Sequence, residues 1–345
     1  MSDIPEADRA GHSPHPRDVF DLLGHAKAEK TFLQAEASGR LHHAWLITGG
    51  EGIGKATLAY RMIRHLLGSR SLLDGTLDVP ADDVAAGRIS AQGHGNLHVV
   101  RRPFDPKRKK LKTEIPVSSI RELSAFFRET AAEAGVPRVG LIDKADELNA
   151  SSENAVLKLL EEPPEDGFLF LLADAPGRLL PTIRSRCLSL DLRPVPDAEL
   201  RPWVQSRTGL SGKDLERVLF LSRGSPGRAL SLAERKREVV DAVSDLAESW
   251  VSGRRAGDVA LVNSLAGPKL ANARPLFWAA LQDVLAAFAR HDGDESWPLP
   301  FARPPRGRDW LRLWHEAVER ERLESEINMD PRASLLDTLG DLRVA

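Results

Sequence analysis

Five short runs of apolar residues recur along the first two hundred positions of the chain. They lie at 44–48, 97–101, 138–142, 168–173 and 187–192. The runs are largely continuous rather than alternating with polar residues. This pattern is typical of parallel strands that are covered on both faces. We therefore predict a parallel sheet in this part of the chain.

Helical periodicity lies between these runs, at 55–67, 117–134 and 152–162. Strands that alternate with helices indicate an α/β layered domain. The third helix has clear limits. Its candidate N-caps are Asn149, Ser151 and Ser152, and Pro163 prevents its continuation because the residue before a proline is driven out of the α region.

Strand character stops after residues 193–197. Short helices are predicted over 198–235 and longer ones from about 240, with a proline-rich loop at 292–309. A length of 345 residues suits two or three domains. We predict a polar tail (1–17), an α/β core (18–194), a small helical domain (195–240) and a C-terminal all-helical domain (241–345).

Composition excludes several classes of protein. Lys plus Arg number 48 and Asp plus Glu 50, so any contact with nucleic acid must be local rather than global. Cys187 is the only cysteine, which excludes an internal disulfide and a multi-cysteine zinc site and suits a reducing cytoplasm. No apolar run approaches the roughly 20 residues that span a bilayer, and the N-terminus lacks the apolar centre of a signal peptide.

A glycine-rich stretch, "TGGEGIGKATLA" (48–59), follows the first predicted strand and opens a helix. Gly49, Gly54 and Lys55 fit the phosphate-loop pattern G-x-x-x-x-G-K-[ST], but the last position is Ala56. Backbone N–H groups at a helix start, with a lysine, form a cradle for anions. We predict a phosphate loop. The alternative is a glycine-rich turn without a ligand.

Hydrolysis of a nucleotide needs a hydroxyl and an acid for Mg²⁺ and a group that orients water. Ala56 cannot bind a metal, and Thr57 points about 100° further round the helix. Asp143 ends a later strand and is the candidate for the acid, unless it is a plain strand-end carboxylate. The next residue is Lys144, which cannot act as a base while protonated. The pattern predicts a nucleotide site without its working parts.

Three segments together resemble one family: 39–59, the run containing "NAVLKLLEEPP" and "SRC" (149–187), and "GSPGRALSL" (224–232). They are similar to bacterial clamp-loader subunits of the AAA+ class, and most of all to the delta-prime family of DNA polymerase III. The resemblance covers about the first two thirds of the chain. It implies an AAA+ P-loop core, a small helical lid (195–240) and a C-terminal helical collar (241–345).

The resemblance assigns a role to Arg186, in the "SRC" run. It matches the arginine that clamp-loader subunits insert into a neighbour's nucleotide site, where a planar, permanently charged fork can pair with phosphate oxygens. The alternative is a surface ion pair. Cys187 is interpreted as a small buried residue without a redox role.

The family's two sensing positions depart from the pattern. Gly227 stands where an arginine is usual, with Arg228 one residue later, and Asp174 or Ala173 stands where a neutral polar residue is usual. These departures all concern the chain's own site. The resemblance therefore implies a subunit that completes a neighbour's site and hydrolyses no ATP itself.

The resemblance also implies partners. These are the gamma/tau-type ATPase subunits, the delta subunit, the sliding clamp and, through the assembled complex, primed DNA. The DNA-directed DNA polymerase reaction would belong to another subunit of the holoenzyme. No cofactor is required, although ATP or ADP could be held without hydrolysis. The main alternative is an active AAA+ motor subunit, and a second is a nucleic-acid-binding adaptor.

Many relatives carry a four-cysteine zinc module after the phosphate-loop helix. The corresponding stretch, 68–96, has no cysteine, and we interpret it as an exposed insertion. His94 and His98 have i, i+4 spacing but are interpreted as part of a solvated loop. No metal is predicted.

The stretch "RRPFDPKRKKLK" (101–112) has seven cations in twelve residues. The favoured interpretation is a solvated loop or hairpin leading into the next helix. The alternative is a contact with nucleic-acid phosphates, although Phe104 alone offers little for base stacking.

Overall fold

We analysed a computed structural model of the chain. It describes residues 6, 14–73, 75–130, 132–252, 262, 266–267, 273–291, 297–303, 309–327, 330, 332–333 and 335. The chain divides into two compact units. The first comprises Met1–Val195 with Ser225–Gly227, and the second comprises Pro196–Gly224 with Arg228–Ala345.

Five parallel strands form the sheet of the first unit. They are β1 (Ala44–Thr48), β2 (Leu97–Val100), β5 (Arg138–Asp143), β6 (Gly167–Ala173) and β7 (Leu188–Asp191), in the order β2-β5-β6-β1-β7. A separate antiparallel hairpin pairs β3 (Phe104–Asp105) with β4 (Lys110–Leu111). The predicted parallel sheet is confirmed, and each predicted strand lies within about one residue of its apolar run.

Six helices accompany the sheet: α1 (Ala26–Ala37), α2 (Lys55–Leu66), α3 (Val84–Ser90), α4 (Val117–Arg128), α5 (Ala150–Glu161) and α6 (Pro181–Arg184). Alternate residues of β1 face opposite layers. Trp45 and Ile47 pack with residues of α1 and α2, whereas Ala44 and Leu46 pack with residues of α4, α5 and α6. Burial on both faces explains why the strand sequences are continuous in apolar residues.

The strand register aligns the carboxyl ends of the central strands. Thr48 pairs with Ala173, and Asp143 pairs with Leu172. The residues that follow β1, β5 and β6 therefore leave the sheet on the same side, where the strands end. We call this side the carboxyl edge and the side where the strands begin the amino edge. Ligands bind beside the carboxyl ends of the strands in open parallel sheets.

The stretch 68–96 differs from the prediction. It contains α3, and its residues Leu77 and Ile89 are buried in the same apolar cluster as α2. Asp83 caps α3 by accepting the N–H of Ala86 at 2.8 Å and also accepts the Ser69 hydroxyl at 2.8 Å. The expectation of an exposed insertion is wrong, because apolar residues scattered through a Gly-, Asp- and Ala-rich sequence still find the core.

The described part of the second unit is helical. It contains α7 (Asp197–Thr208), α8 (Gly212–Ser222), most of α9 (Pro226–Glu234), a π-helical segment (Lys236–Asp241), α10 (Ala242–Ser252), α11 (Arg274–His291) and α12 (Trp310–Ile327). Helices α11 and α12 pack together, and Glu324 accepts from Arg274 at 2.8 Å and from the Trp278 indole at 3.1 Å. None of the described helices combines the length and apolar character needed to cross a membrane.

The boundaries predicted at 195 and 241 stay predictions. Most of the predicted tail 1–17 and of the loop 292–309 lies outside the described residues. At the end of the tail, His15 is buried and Arg17 forms an ion pair with Glu6 at 3.0 Å.

The start of α5 depends on one of the predicted caps. Asn149 accepts hydrogen bonds from the backbone N–H and the hydroxyl of Ser152, both at 3.0 Å. We expect Asn149→Ala to lower the melting temperature by about 2–4 °C, because loss of an N-cap costs ~1 kcal/mol. Thermal unfolding followed by circular dichroism measures this. The matched control is Asn154→Ala, an exposed asparagine in the same helix. Equal effects of the two substitutions would contradict the assigned cap.

Candidate nucleotide site and arginine finger

The glycine-rich loop lies at the carboxyl edge of the sheet, between β1 and α2. Helix α2 begins at Lys55, with Gly54 as its N-cap. Gly49 has a φ of +143°, and a Cβ atom there would lie 2.7 Å from the carbonyl oxygen of Leu192. Only glycine fits this position. The structure therefore places the predicted loop in the strand–turn–helix context of a phosphate loop.

The ammonium group of Lys55 is already occupied by groups of the same chain. It donates to the carbonyl oxygens of Gly49, at 2.8 Å, and Gly50, at 3.0 Å, and forms an ion pair with Asp174. An ammonium has three protons, so these contacts use its full donor capacity. The lysine residue is only 7% exposed. A phosphate group would have to displace at least one of these partners.

Asp174 follows β6 and bridges two lysines. Its second carboxylate oxygen lies 2.6 Å from Lys144. Burial on its own would raise the pKa of Asp174, but the charges of Lys55 and Lys144 outweigh it and hold the pKa below its ordinary value. The backbone N–H groups of Asp174 and Ala175 donate to the carboxylate of Asp146, at 3.3 and 2.9 Å. The carboxylate of Asp174 is therefore charged and fixed beside the phosphate loop.

Lys144 follows Asp143 at the end of β5, where the sequence analysis sought a group that could orient water. It contacts Asp174 and also pairs with Glu51 of the glycine-rich loop at 3.2 Å. Burial lowers the pKa of Lys144, but the two carboxylates raise it by more, so it lies above its ordinary value. The side chain stays protonated at neutral pH. The ion pairs thus run from Lys55 to Asp174, then to Lys144 and then to Glu51, with two positive and two negative charges in alternation.

The oxygen ligands that Mg²⁺ would need beside the loop are incomplete. Asp143 ends β5 and is buried, but Ala56 offers no oxygen at the start of α2. Within the described residues, no three or more His, Cys, Asp or Glu side chains are grouped as metal ligands. His94 is buried and His98 packs against Phe126 with ring centres 5.3 Å apart, so the expectation of a solvated loop for these two residues is wrong.

A short segment from later in the chain packs on the outside of the glycine-rich loop. Within the first unit, the Ser225 hydroxyl donates to the carbonyl of Glu51 at 2.8 Å, and the Gly227 N–H donates to that of Gly52 at 2.9 Å. A Cβ atom at Gly227 would lie 2.9 Å from both the Cα and the carbonyl oxygen of Gly52. No side chain, and hence no arginine, fits at this position without a backbone shift.

The neighbouring arginine has a different role. In the second unit, Arg228 and Arg223 each lie 2.6 Å from a carboxylate oxygen of Asp283. Burial raises the pKa of Asp283, and the two arginines only partly offset this effect. The structure therefore places Arg228 in an internal ion pair of that unit.

Arg186 lies between α6 and β7 and is partly exposed. Its guanidinium forms an ion pair with Glu161 at 2.9 Å and donates to the carbonyl of Thr182 at 3.1 Å. About 37% of its side chain is accessible. The adjacent Cys187 is half-buried, and burial raises the pKa of its thiol to about 12, so the group stays protonated at neutral pH.

Arg186 lies at the amino edge of the sheet, whereas the glycine-rich loop lies at its carboxyl edge. Arg186 precedes β7, whereas Gly49 lies level with Leu192, just after β7 ends. The four residues of β7, which lie between them, span about 13 Å at roughly 3.3 Å per residue. The structure therefore brings together Gly49, Gly54, Lys55 and Asp143 at one edge and leaves Arg186 at the other. The arginine cannot serve its own chain's loop.

Two contributors to the site were missed in the sequence. Asp174 was noted only as an unusual residue at a sensing position, and Glu51 was not noted at all. Asp174 lies 119 positions from Lys55 in the sequence, and Glu51 lies 93 positions from Lys144. Their role as counterions therefore depends on contacts between distant parts of the chain. The only signal in the sequence was an acid at a position where a neutral residue is usual.

Comparison with known proteins places these features in a family. The family model described as "DNA polymerase III, delta subunit" matches residues 24–196. The delta-prime subunit of DNA polymerase III from Pseudomonas aeruginosa is 34% identical over 239 residues, covering 64% of this chain and 70% of that protein. The Escherichia coli delta-prime subunit is 33% identical over 201 residues, covering 56% of this chain and 55% of that protein.

A different subunit type also matches. The tau subunit of Escherichia coli DNA polymerase III is 28% identical over 225 residues, covering 64% of this chain and 33% of that protein. The match thus spans about half of the Escherichia coli delta-prime subunit and a third of the tau subunit. The family match contains the glycine-rich loop, Asp143, Asp174 and Arg186. This chain belongs to the DNA polymerase III delta-subunit family.

Proposed function

We propose that this chain is a delta-prime-type subunit of a DNA polymerase III clamp loader that does not hydrolyse ATP. Its part is to hold the assembly together and to present Arg186 to the nucleotide site of a neighbouring subunit. The assembly would open the sliding clamp and load it onto primed DNA during replication.

One observation carries this proposal. Lys55, the residue that would bind phosphate, is paired with Asp174 within the chain, whereas Arg186 is partly exposed and precedes β7, at the opposite edge of the sheet. A subunit that acts only on a neighbour needs an accessible arginine and no working site of its own. This arrangement supports a finger that acts in trans.

The contacts of Arg186 suit such a role. The Glu161 carboxylate and the Thr182 carbonyl hold the guanidinium in one orientation, which lowers the entropy lost on docking. An exposed ion pair of this kind contributes only ~0–1 kcal/mol. A neighbour's phosphate can therefore replace Glu161 at little cost.

The partners of the proposed role are gamma/tau-type ATPase subunits, a delta subunit and the sliding clamp, with primed DNA bound by the assembly. We place the chain in the cytoplasm, at the replisome. The DNA-directed DNA polymerase reaction is assigned to another subunit of the holoenzyme.

No cofactor is required in this proposal. ATP or ADP would be held by Gly49, Gly54 and Lys55 only after the ion pair with Asp174 has opened, and it would be held without hydrolysis. We also propose that the chain contains no zinc, since its stretch 68–96 is stabilised by the core residues Leu77 and Ile89 and by the contacts of Asp83.

An active motor subunit is the competing function. The intact lysine loop and the buried acid Asp143 favour it, and motor-type subunits are among the relatives. Ala56, Lys144 and Gly227 oppose it. The two functions differ in whether the isolated chain turns over ATP.

The first prediction from this proposal concerns ATP turnover by the reconstituted loader with clamp and primed DNA. We expect Arg186→Ala to lower this turnover by roughly ten-fold or more, because a finger stabilises the charge that moves onto the phosphoryl group. We expect the isolated chain to be inactive. Arg184→Ala is the matched control, since Arg184 is an exposed arginine of α6 two residues away.

Either of two results would contradict the proposal. One is ATP hydrolysis by the isolated chain, which would favour the motor subunit. The other is unchanged turnover with Arg186→Ala, which would mean that the arginine forms only a surface ion pair.

The second prediction concerns nucleotide binding. We expect Asp174→Asn to tighten the binding of a fluorescent ADP analogue to the isolated chain by at least ten-fold. Removing one charge ~4 Å from another at an effective dielectric of about 20 changes their interaction by up to about 4 kcal/mol. The substitution both frees Lys55 and removes repulsion of the phosphates. Fluorescence anisotropy titration measures the dissociation constant.

Asp191→Asn serves as the control, because Asp191 lies at the same edge of the sheet but contacts Thr48 rather than Lys55. Equal affinities of the Asp174→Asn and wild-type chains would show that Asp174 does not compete with phosphate.

A further inference from the structure

The stretch 101–112 is a local concentration of positive charge in an otherwise acidic chain. Its seven cations and one acid, removed from totals of 48 and 50, leave 41 basic and 49 acidic residues elsewhere. The structure shows that this stretch forms the hairpin of β3 and β4. Its charges divide into a paired base and an exposed tip.

The base of the hairpin is fastened to the first unit. Arg101 forms an ion pair with Glu6 at 2.8 Å, and Arg102 forms one with Glu147 at 2.6 Å. The N–H of Lys112 donates to the carbonyl of Pro103 at 2.9 Å, which closes the two strands. Because β2 ends just before the hairpin and Glu147 follows β5, the hairpin leaves the sheet at its carboxyl edge.

The tip of the hairpin is the four consecutive cations Lys107–Lys110. All four are exposed. Asp105 accepts the backbone N–H groups of Lys107, at 2.9 Å, and Arg108, at 3.2 Å, so the turn is ordered by its own contacts. Its carboxylate lies 4.0 Å from Arg108, which is the one ion pair found for the tip among the described residues. The backbone of the turn is thus held in place, whereas its cations are weakly neutralised.

We propose that the tip, Lys107–Lys110, is a docking surface for the phosphate backbone of nucleic acid. It would bind this backbone irrespective of the base sequence. A row of cations gains binding free energy by releasing the counterions condensed on a polyphosphate. Because the tip is already ordered, little conformational entropy is lost on binding.

The residue types of the tip favour nucleic acid over an acidic protein. A protein–protein interface is centred on buried apolar or aromatic anchors, and charged residues are depleted there. The tip has no such anchor, since Phe104 lies in β3 and is not exposed. Without an exposed aromatic side chain the tip also offers little for base stacking, which favours phosphate as the group that it recognises.

The test is binding of the assembled loader to a fluorescent primer–template DNA at 50 to 200 mM salt. We expect the triple variant Lys107→Gln, Lys109→Gln and Lys110→Gln to weaken binding at 50 mM salt by ten-fold or more. The slope of log K against log salt should become shallower by about 1 for each lost phosphate contact. Two unrelated DNA sequences should give equal losses.

Two further variants make the result specific. The control Lys27→Gln, Lys30→Gln and Lys213→Gln removes the same charge from three other exposed lysines and should leave the slope unchanged. The variant Lys107→Arg, Lys109→Arg and Lys110→Arg keeps the charge and should retain wild-type binding. Duplex and single-stranded DNA, tested separately, identify which part of the primer–template reaches the tip, and a loss on at least one of them is expected.

Any of three outcomes would overturn the inference. The first is an unchanged salt slope in the triple glutamine variant. The second is a loss of DNA binding equal to that of the control variant. The third is that polyglutamate competes with contacts that the loader makes without DNA, while DNA binding is unaffected. This result would indicate that the tip binds an acidic protein instead. The inference rests on the proposed clamp-loader role, but its failure is separable, since ATP turnover without DNA depends on Arg186 and not on the tip.

Discussion

The ion pair between Lys55 and Asp174 governs the character of the first unit. A phosphate loop concentrates positive potential at the start of a helix, and that potential must be balanced by a ligand or by the protein. Here a carboxylate at the end of β6 takes the position of the counterion, and Lys144 and Glu51 complete the balance. The positive potential of the loop is therefore balanced by side chains of the same chain.

The two edges of the sheet carry different functional groups. Its carboxyl edge holds the neutralised loop and the cationic hairpin, and its amino edge holds Arg186 beside Glu161. The buried strands between them are stiff, because interiors are close-packed and strands are paired along their length. A subunit with this layout can contact different partners at its two edges while changing little itself.

Much of the fold could be predicted from the sequence. The five apolar runs located the strands, and the candidate caps at 149–152 located the start of α5 to within two residues, because both signals are local. The packing of 68–96 could not be predicted, since its apolar residues have no regular period. The pairing of Asp174 with Lys55 and of Arg228 with Asp283 was also hidden, because each joins residues far apart in the chain. Residue types were thus predictable at the site, whereas their partners were not.

The close approach of Gly227 to Gly52 limits the side chains that evolution could place at position 227. By contrast, a hydroxyl at position 56 or an acid at position 144 would each need only one substitution. An arginine at 227 meets backbone atoms, so the loop and its neighbouring segment would have to move apart before that substitution was tolerated. Intermediates on this path would be destabilised. The contact therefore makes the glycine at position 227 hard to replace for as long as the loop keeps this conformation.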